Sequence, residues 1–298
     1  MKKRVFCILY FGLLSACSGG GTTQEVATTS TQEGRALFSS ATGLADSVKI
    51  VLTDTGTVES FSNLITARTE TIDIERLSTG EITKLTLSNT ADSVAFDTGL
   101  GHTINKFGEG NRFLAAQSSS AEAAFAGLPN SAAGVYKVTT SEGNEFVATT
   151  YAGSDGISSF VPTGTATYDG GLVGLYSVTG FGTVYTRADM TAAANFDTGN
   201  ITFSTNGTED FNLATGASGI DRPELDIPET VIFKFGDNNK FLSLELSDGS
   251  GLTGTAEIAL FGSSGEEMAG IGNLTDDNDN ITNATRVHLI SFAGQILD

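Results

Sequence analysis

Pro162 to Asn206 reads PTGTATYDGGLVGLYSVTGFGTVYTRADMTAAANFDTGNITFSTN, and two signals in it decide the fold. The first is alternation. Met190, Ala192, Ala194 and Phe196 share one parity, and Thr191, Asn195 and Asp197 take the other. Successive strand side chains point to opposite faces, so such a segment has one apolar and one wet face. The second is punctuation. Asp169-Gly170-Gly171, Gly180-Phe181-Gly182 and Asp197-Thr198-Gly199-Asn200 separate the runs. Glycine and aspartate accept the backbone angles that tight reversals need. The stretch reads as a meander of hairpins.

The alternation continues downstream. Val231, Phe233 and Phe235 alternate with Ile232 and Lys234, so Phe233 is expected in the core with Phe196. Leu242, Leu244 and Leu246 alternate with Ser243, Glu245 and Ser247, and Ala256, Ile258, Leu260, Val287 and Leu289 follow. Eight or nine strands after Pro162 suffice to close a small barrel filled by its own side chains. Polar outward positions at Lys234, Glu245, Asn195 and Asp197, and an Ile296-Leu297-Asp298 end rather than an aromatic one, argue against a barrel that spans a membrane.

Gly164-Thr165-Ala166-Thr167-Tyr168-Asp169-Gly170, then a second strand, then Ala192-Ala193-Ala194-Asn195-Phe196-Asp197-Thr198-Gly199, resemble the β-barrel domain of transferrin-binding-protein-B-like surface lipoproteins. Those barrels carry a G-x-A-x-Y-x-G strand followed by an A-x-(V/A)-x-F-(D/G)-x-G hairpin. Gly254 to Gly262, followed by Gly265-Glu266-Glu267-Met268-Ala269-Gly270, is similar to the family's F-Y-G-x-x-A-E-E-x-x-G turn, with Leu260 in place of one aromatic and Gly265 in place of the alanine. The resemblance implies an all-β protein: a small handle-like β region, then an eight-stranded antiparallel, lipocalin-like barrel. It implies an outer-membrane-anchored lipoprotein that captures a macromolecule, such as an iron or haem carrier, and delivers it to an outer-membrane receptor. It further implies export to the cell surface by an assembly protein of the outer membrane.

The start of the chain agrees. Lys2, Lys3 and Arg4 precede an apolar run from Val5 to Leu14, too short for a permanent span and suited to a secretory signal. Leu14-Ser15-Ala16-Cys17 matches the bacterial lipobox, which makes Cys17 the expected site of lipid attachment; an ordinary signal with a chance cysteine is the alternative. Ser18 permits sorting to the outer membrane. Cys7 would leave with the signal, so no disulfide is expected, and the fold must stand on its core and ladders. Residues 1–16 are read as signal, 17–34 as a flexible polar tether, 35–161 as the handle-like region and 162–298 as the barrel. Removal of the three leading cations takes the net charge from −19 to −22, a surface that repels nucleic acid and anionic lipid.

In residues 35–161, Val48, Ile50 and Leu52 alternate, as do Ile72 and Ile74, and a shift of register between Ile82 and Leu85 predicts a bulge. Tyr136–Thr140 and Glu145–Thr149 flank a turn at Ser141-Glu142-Gly143-Asn144, a hairpin signal. One short helix is expected: Ser119 and Glu122 have capping-box spacing, Ala121, Ala123, Ala124 and Phe125 follow, and Gly127 and Pro129 end it.

No catalytic motif stands out. His102 and His288 are the only histidines and are expected to be solvated or in loops. Asp276-Asp277-Asn278-Asp279-Asn280 lacks the glycine and closing glutamate of a calcium loop and reads as an acidic turn. No cofactor and no enzyme activity are expected. Gly207 to Glu229 holds two of the four prolines and is expected to be a long loop, in which Asp221–Pro228 can be replaced by a short Gly-Ser linker with the fold intact. Asp221, Arg222, Pro223 and Glu224 within it are the candidate partner-binding residues, since scaffolds present function on loops and Arg is enriched at binding hot spots. Three functions follow: capture of an extracellular protein ligand, an adhesin or factor-H-binding-like evasion role, or carriage of a small ligand in a hollow barrel.

Overall fold

The computed structural model describes residues 40–297, apart from 80, 90–92, 109–111, 155–162, 235–239 and 278–280. The first nine strands are β1 (Ser40–Leu52), β2 (Val58–Arg76), β3 (Ile82–Ser88), β4 (Ser93–Asp97), β5 (Thr103–Phe107), β6 (Phe113–Gln117), β7 (Ala121–Gly127), β8 (Ser131–Thr139) and β9 (Glu145–Gly153). They make one antiparallel sheet in the order β4-β3-β2-β1-β9-β8-β7-β6-β5. Its two edge strands, β4 and β5, are consecutive in the chain and joined by the short 3-10 turn Thr98–Leu100. So short a link between opposite edges forces the sheet to curl until they approach. The bulge expected near Ile82 is present: Glu75 faces Lys84 while Arg76 faces Ile82, one residue out of register. The β8–β9 hairpin also stands where the sequence puts it, with Gly143 at φ 83°.

The remaining strands are β10 (Thr165–Val178), β11 (Thr183–Asn195), β12 (Asn200–Phe211), β13 (Ser218–Asp221), β14 (Thr230–Lys234), β15 (Lys240–Ser247), β16 (Thr253–Phe261), β17 (Glu267–Thr275) and β18 (Arg286–Ile296). Excluding β13, each pairs antiparallel with the next, and β18 returns to β10. This is an eight-stranded closed barrel, with β13 a short extra strand on β12. Closure removes the edges on which strands from other chains would pair. Met190, Ala192 and Ala194 point inward and Thr191 and Ala193 outward, as the alternation requires. Tyr168, Leu172, Ile201, Phe203, Ile258 and Phe292 fill the interior, with the Phe203 and Phe292 rings 4.6 Å apart.

Phe233 departs from expectation: it is 57% exposed, and Ile232 is the buried residue. The β12–β14 register pairs Ile232 with inward-facing Ile201, so Phe233 takes the outer face. The side chains of 242–245 and residue 235 lie outside the described set.

The sheets pack face to face. Val48, Phe61, Phe113, Val135, Val147 and Tyr151 of the first join Val173, Leu175, Ile271, Val287 and Leu289 on the barrel's outer face in one apolar cluster. A second cluster, with Ile72, Leu85, Phe96, Phe125 and Tyr136, lies inside the curl of the first sheet. The interlock is reciprocal. The Phe113 ring lies where a Cβ on Gly171 would stand 2.7 Å away, and Phe261 lies against Gly153 at 2.1 Å by the same measure. Only glycine allows either approach. Polar links cross as well: Glu267 accepts from Asn130 N at 3.1 Å and Ser131 Oγ at 2.8 Å, Ser291 Oγ donates to Gly134 O at 2.7 Å, and Tyr151 donates to Glu257. At the tip of the β10–β11 hairpin, Val58 N donates to Phe181 O and Gly180 N to Val58 O.

This packing overturns the expected helix. Residues 121–127 form β7, paired with both β6 and β8. Ala121, Ala123 and Phe125 face the core of the curled sheet, and Ala124 and Ala126 face the barrel. With both faces buried, the strand loses its alternation and reads as an unbroken apolar run, which periodicity cannot tell from a helix. Ser118 makes the turn before it by accepting from Ala121 N, and Glu122 pairs with Lys137 across the sheet rather than capping anything.

Candidate functional site

The segment between β12 and β14 carries the short strand β13, a 3-10 turn at Pro223–Leu225 and two buried side chains. Its start leans on the first sheet: Asn105 Nδ2 donates to Ala214 O, and Phe107 packs with Phe211 at 5.1 Å between ring centres. Arg187 fixes it there, donating to Glu209, Gly216 O and Ser218 Oγ with its guanidinium over the Phe107 and Phe211 rings. Then Arg222 to Ile227 turns across the barrel. Leu225 and Ile227 are buried in the barrel's own core. Asp226 accepts from Thr208 N and Oγ1 and its carbonyl from Gly249 N, while Ile227 and Thr205 exchange hydrogen bonds. The segment thus bridges β12 to the β15–β16 turn. The expectation that 221–228 can be replaced with the fold intact stands against two buried side chains and these hydrogen bonds.

The four candidate residues fall into two roles. Arg222 is engaged: Nε and Nη2 bind both oxygens of Asp210 at 3.1 and 2.9 Å, and Glu224 lies 3.7 Å from Nη1. Hydrogen bonding to Asp210 raises its pKa further. Asp221, Pro223 and Glu224 are exposed, beside Ile220, which is 62% exposed. They form an acidic and apolar rim. Cys17, the signal and the tether lie outside the described residues.

Below this rim the barrel carries polar residues that the sequence does not mark. His288 is fully buried, not solvated, with Nε2 2.9 Å from Thr186 Oγ1 and its ring edge-on to Tyr176. Burial pushes its pKa down to about 3, so it is neutral and a weak base. Gly174 makes room for it. His102 is in the turn region expected of it, its Nδ1 accepting from Asp97 N. Asp276 is a clamp on the next strand, accepting from Thr285 and Arg286, which holds its carboxyl at about 2. Residues 278–280 lie outside the described set, and among the described residues no group of three or more His, Cys, Asp or Glu side chains is placed to hold a metal.

The motif residues turn out to build the barrel. Tyr168 of the first motif is fully buried, and its hydroxyl donates 2.7 Å to the carbonyl of Gly265 in the third. Glu266 folds that turn by accepting from Ser264 and Ser263. Its neighbour Glu267 points the other way, into the contact with the first sheet.

No family model matches the sequence, and no curated protein matches it. Solved structures of similar layout exist. A structure described as a surface lipoprotein is 11% identical, with 86% of this chain and 98% of that chain covered and a TM-score of 0.45. Transferrin binding protein B from Actinobacillus pleuropneumoniae is 12% identical over 86% of this chain and all of that one, with a TM-score of 0.43. The same protein from Neisseria meningitidis serogroup B is 10% identical over 88% and 77%, with a TM-score of 0.40. Likenesses of this size concern the arrangement of strands and carry nothing about a ligand.

Proposed function

We propose that the chain is a lipid-anchored surface lipoprotein of the outer membrane that binds an extracellular macromolecule, an iron or haem carrier being the first candidate, for delivery to an outer-membrane receptor. The observation that carries the binding role is a barrel interior filled, among the described residues, by its own side chains. With Phe203, Phe292 and Tyr168 inside and Leu225 and Ile227 closing one side, the barrel offers its partners an outer surface. The rim of Ile220, Asp221, Pro223 and Glu224 is held rigidly by the Arg222–Asp210 pair, which lowers the ordering cost of docking. The lipobox at Cys17 supports the anchor, and the motif resemblance supports the class of ligand.

The rim is tested by the triple variant Asp221→Ser, Pro223→Ser, Glu224→Ser, which leaves Leu225, Ile227 and Arg222 in place. An unchanged melting temperature is expected, with loss of capture from an iron-rich host fluid. Unchanged capture by the folded variant removes the rim from the site. Cys17→Ala should appear in the soluble fraction, since a multiply acylated chain anchors stably and an unacylated one does not. Protease treatment of intact cells decides the exposed face.

A further inference from the structure

Asn206-Gly207 is the only Asn-Gly pair in the chain, and it sits at a break in the β11–β12 ladder. Asp189 pairs with Asn206 and Arg187 with Glu209, so Gly207 and Thr208 together stand opposite Ala188 alone. We propose that Asn206 is a site of spontaneous, backbone-assisted deamidation, and that its conversion loosens the segment that carries residues 221–224.

The chemistry needs no enzyme and no oxidant. The Gly207 amide nitrogen attacks Asn206 Cγ. A new N–Cγ bond closes a cyclic imide, the Cγ–Nδ2 bond breaks, and ammonia leaves with the proton from Gly207 N. Water then adds to one imide carbonyl or the other. Opening at Cγ gives an aspartyl residue with the backbone restored. Opening at the main-chain carbonyl gives an isoaspartyl residue, whose backbone runs through the side chain and is longer by one methylene.

Three features of the bulge favour this reaction. The carboxamide is free to turn toward the nitrogen: Asn206 is exposed, and its side chain makes no hydrogen bond among the described residues. Other asparagines are held. Asn130 Nδ2 donates to Glu267, Asn195 Oδ1 accepts from Thr198 N, and Asn212 Oδ1 accepts from Ala214 N and Thr215 N. Next, the attacking nitrogen is uncrowded. Gly207 has no Cβ, and a Cβ built there would meet nothing within 4 Å. Finally, the backbone has left the regular ladder, with Gly207 exposed at φ 68°, the left-handed geometry of a glycine bulge.

The consequence follows from the bonds on either side. Before the bulge, Thr205 N donates to Ile227 O at 2.9 Å and Ile227 N to Thr205 Oγ1 at 2.8 Å. After it, Thr208 N donates to Asp226 Oδ1 at 2.9 Å and Arg222 N to Thr208 O at 2.6 Å. These four bonds tie the segment to β12 from both sides of Asn206. An extra methylene between Thr205 and Thr208 moves one set out of register with the other, and a buried bond so broken leaves its partners unmet. Neither step depends on what the rim binds.

The test is incubation of the purified, folded full chain in mildly alkaline buffer, with peptide mapping by mass spectrometry and an isoaspartyl-specific methyltransferase assay. Asn206 should convert ahead of every other asparagine, and faster as pH rises, because the attacking nitrogen must lose its proton. The aged chain should melt at a lower temperature and be cleaved sooner by protease between 216 and 229. Asn206→Gln, whose longer side chain closes a ring far more slowly, should hold both readouts at their starting values. Conversion of Asn206 no faster than that of the other asparagines, or conversion only in chain unfolded by urea, overturns the site. Conversion with unaltered melting and cleavage overturns its effect on the segment. The comparison among asparagines in the unsubstituted chain decides the site even if the variant misfolds.

Discussion

Two buried titratable side chains make the stability of this protein depend on pH in opposite directions. His288 has a folded pKa of about 3 against an ordinary value near 6.5, so between these the unfolded chain binds a proton that the folded one refuses. Its contribution is complete above about 6.5 and is lost as pH falls toward 3, on the order of a few kcal/mol. His288→Gln should flatten the melting curve over pH 6.5 to 4 relative to the unsubstituted chain; an identical slope would remove His288 as the cause. Glu70 works the other way. Its folded pKa is raised from 4.5 to about 7, with Tyr136 and Arg68 the groups that face it. Stability therefore falls as pH rises from about 4.5 to 7 and then levels, a penalty of about 3 kcal/mol when fully developed. Glu70→Gln should gain stability above pH 7 and change little near pH 4.5. Both residues are single letters in unremarkable strands, and nothing local distinguishes them from exposed ones.

Strands and their connections differ in how they fail. Phe203→Ala should cost about 3–5 kcal/mol, because the ring is fully buried against Phe292. Phe233→Ala should stay within about 0.5 kcal/mol, because that ring stands outside the barrel. Comparable melting shifts for the two would mean that the β12–β14 register is wrong. The segment from Arg222 to Ile227 behaves as core. Leu225→Ala should cost about 2–5 kcal/mol, and replacing 221–228 by a Gly-Ser linker should cost more still, since it also strands the Thr208 and Thr205 hydrogen bonds. A linker variant with unaltered melting would restore the reading of this segment as a dispensable loop.

At the scale of the molecule, the two sheets share one apolar cluster and several buried hydrogen bonds. An interface this apolar couples its halves, so calorimetry of the chain should show one cooperative transition over the described region. Two resolved transitions would mean that the barrel and the curled sheet fold independently. Glu267→Ala tests the same coupling from one residue. Asn130 N and Ser131 Oγ lose a buried acceptor, which should cost about 1–3 kcal/mol and lower the single transition rather than split it.

The sequence by itself determined the strands of the barrel, their hairpins and their order, because alternation and glycine turns are properties of a few adjacent residues. It determined Tyr168, Gly170 and the Gly265–Glu267 turn as marked positions without saying that Tyr168 and Gly265 bond to each other. Tertiary structure alone decided what depends on a second covering surface. Ala121–Gly127 is a strand because both its faces are buried, and that burial comes from residues of the barrel far along the chain. Phe233 is outside because Ile232 pairs with Ile201. The Arg222 segment is part of the core because Leu225 and Ile227 pack among barrel side chains distant in the sequence. Local sequence fixes the period of a strand; which of its faces is covered is set by distant residues, through the burial of apolar area.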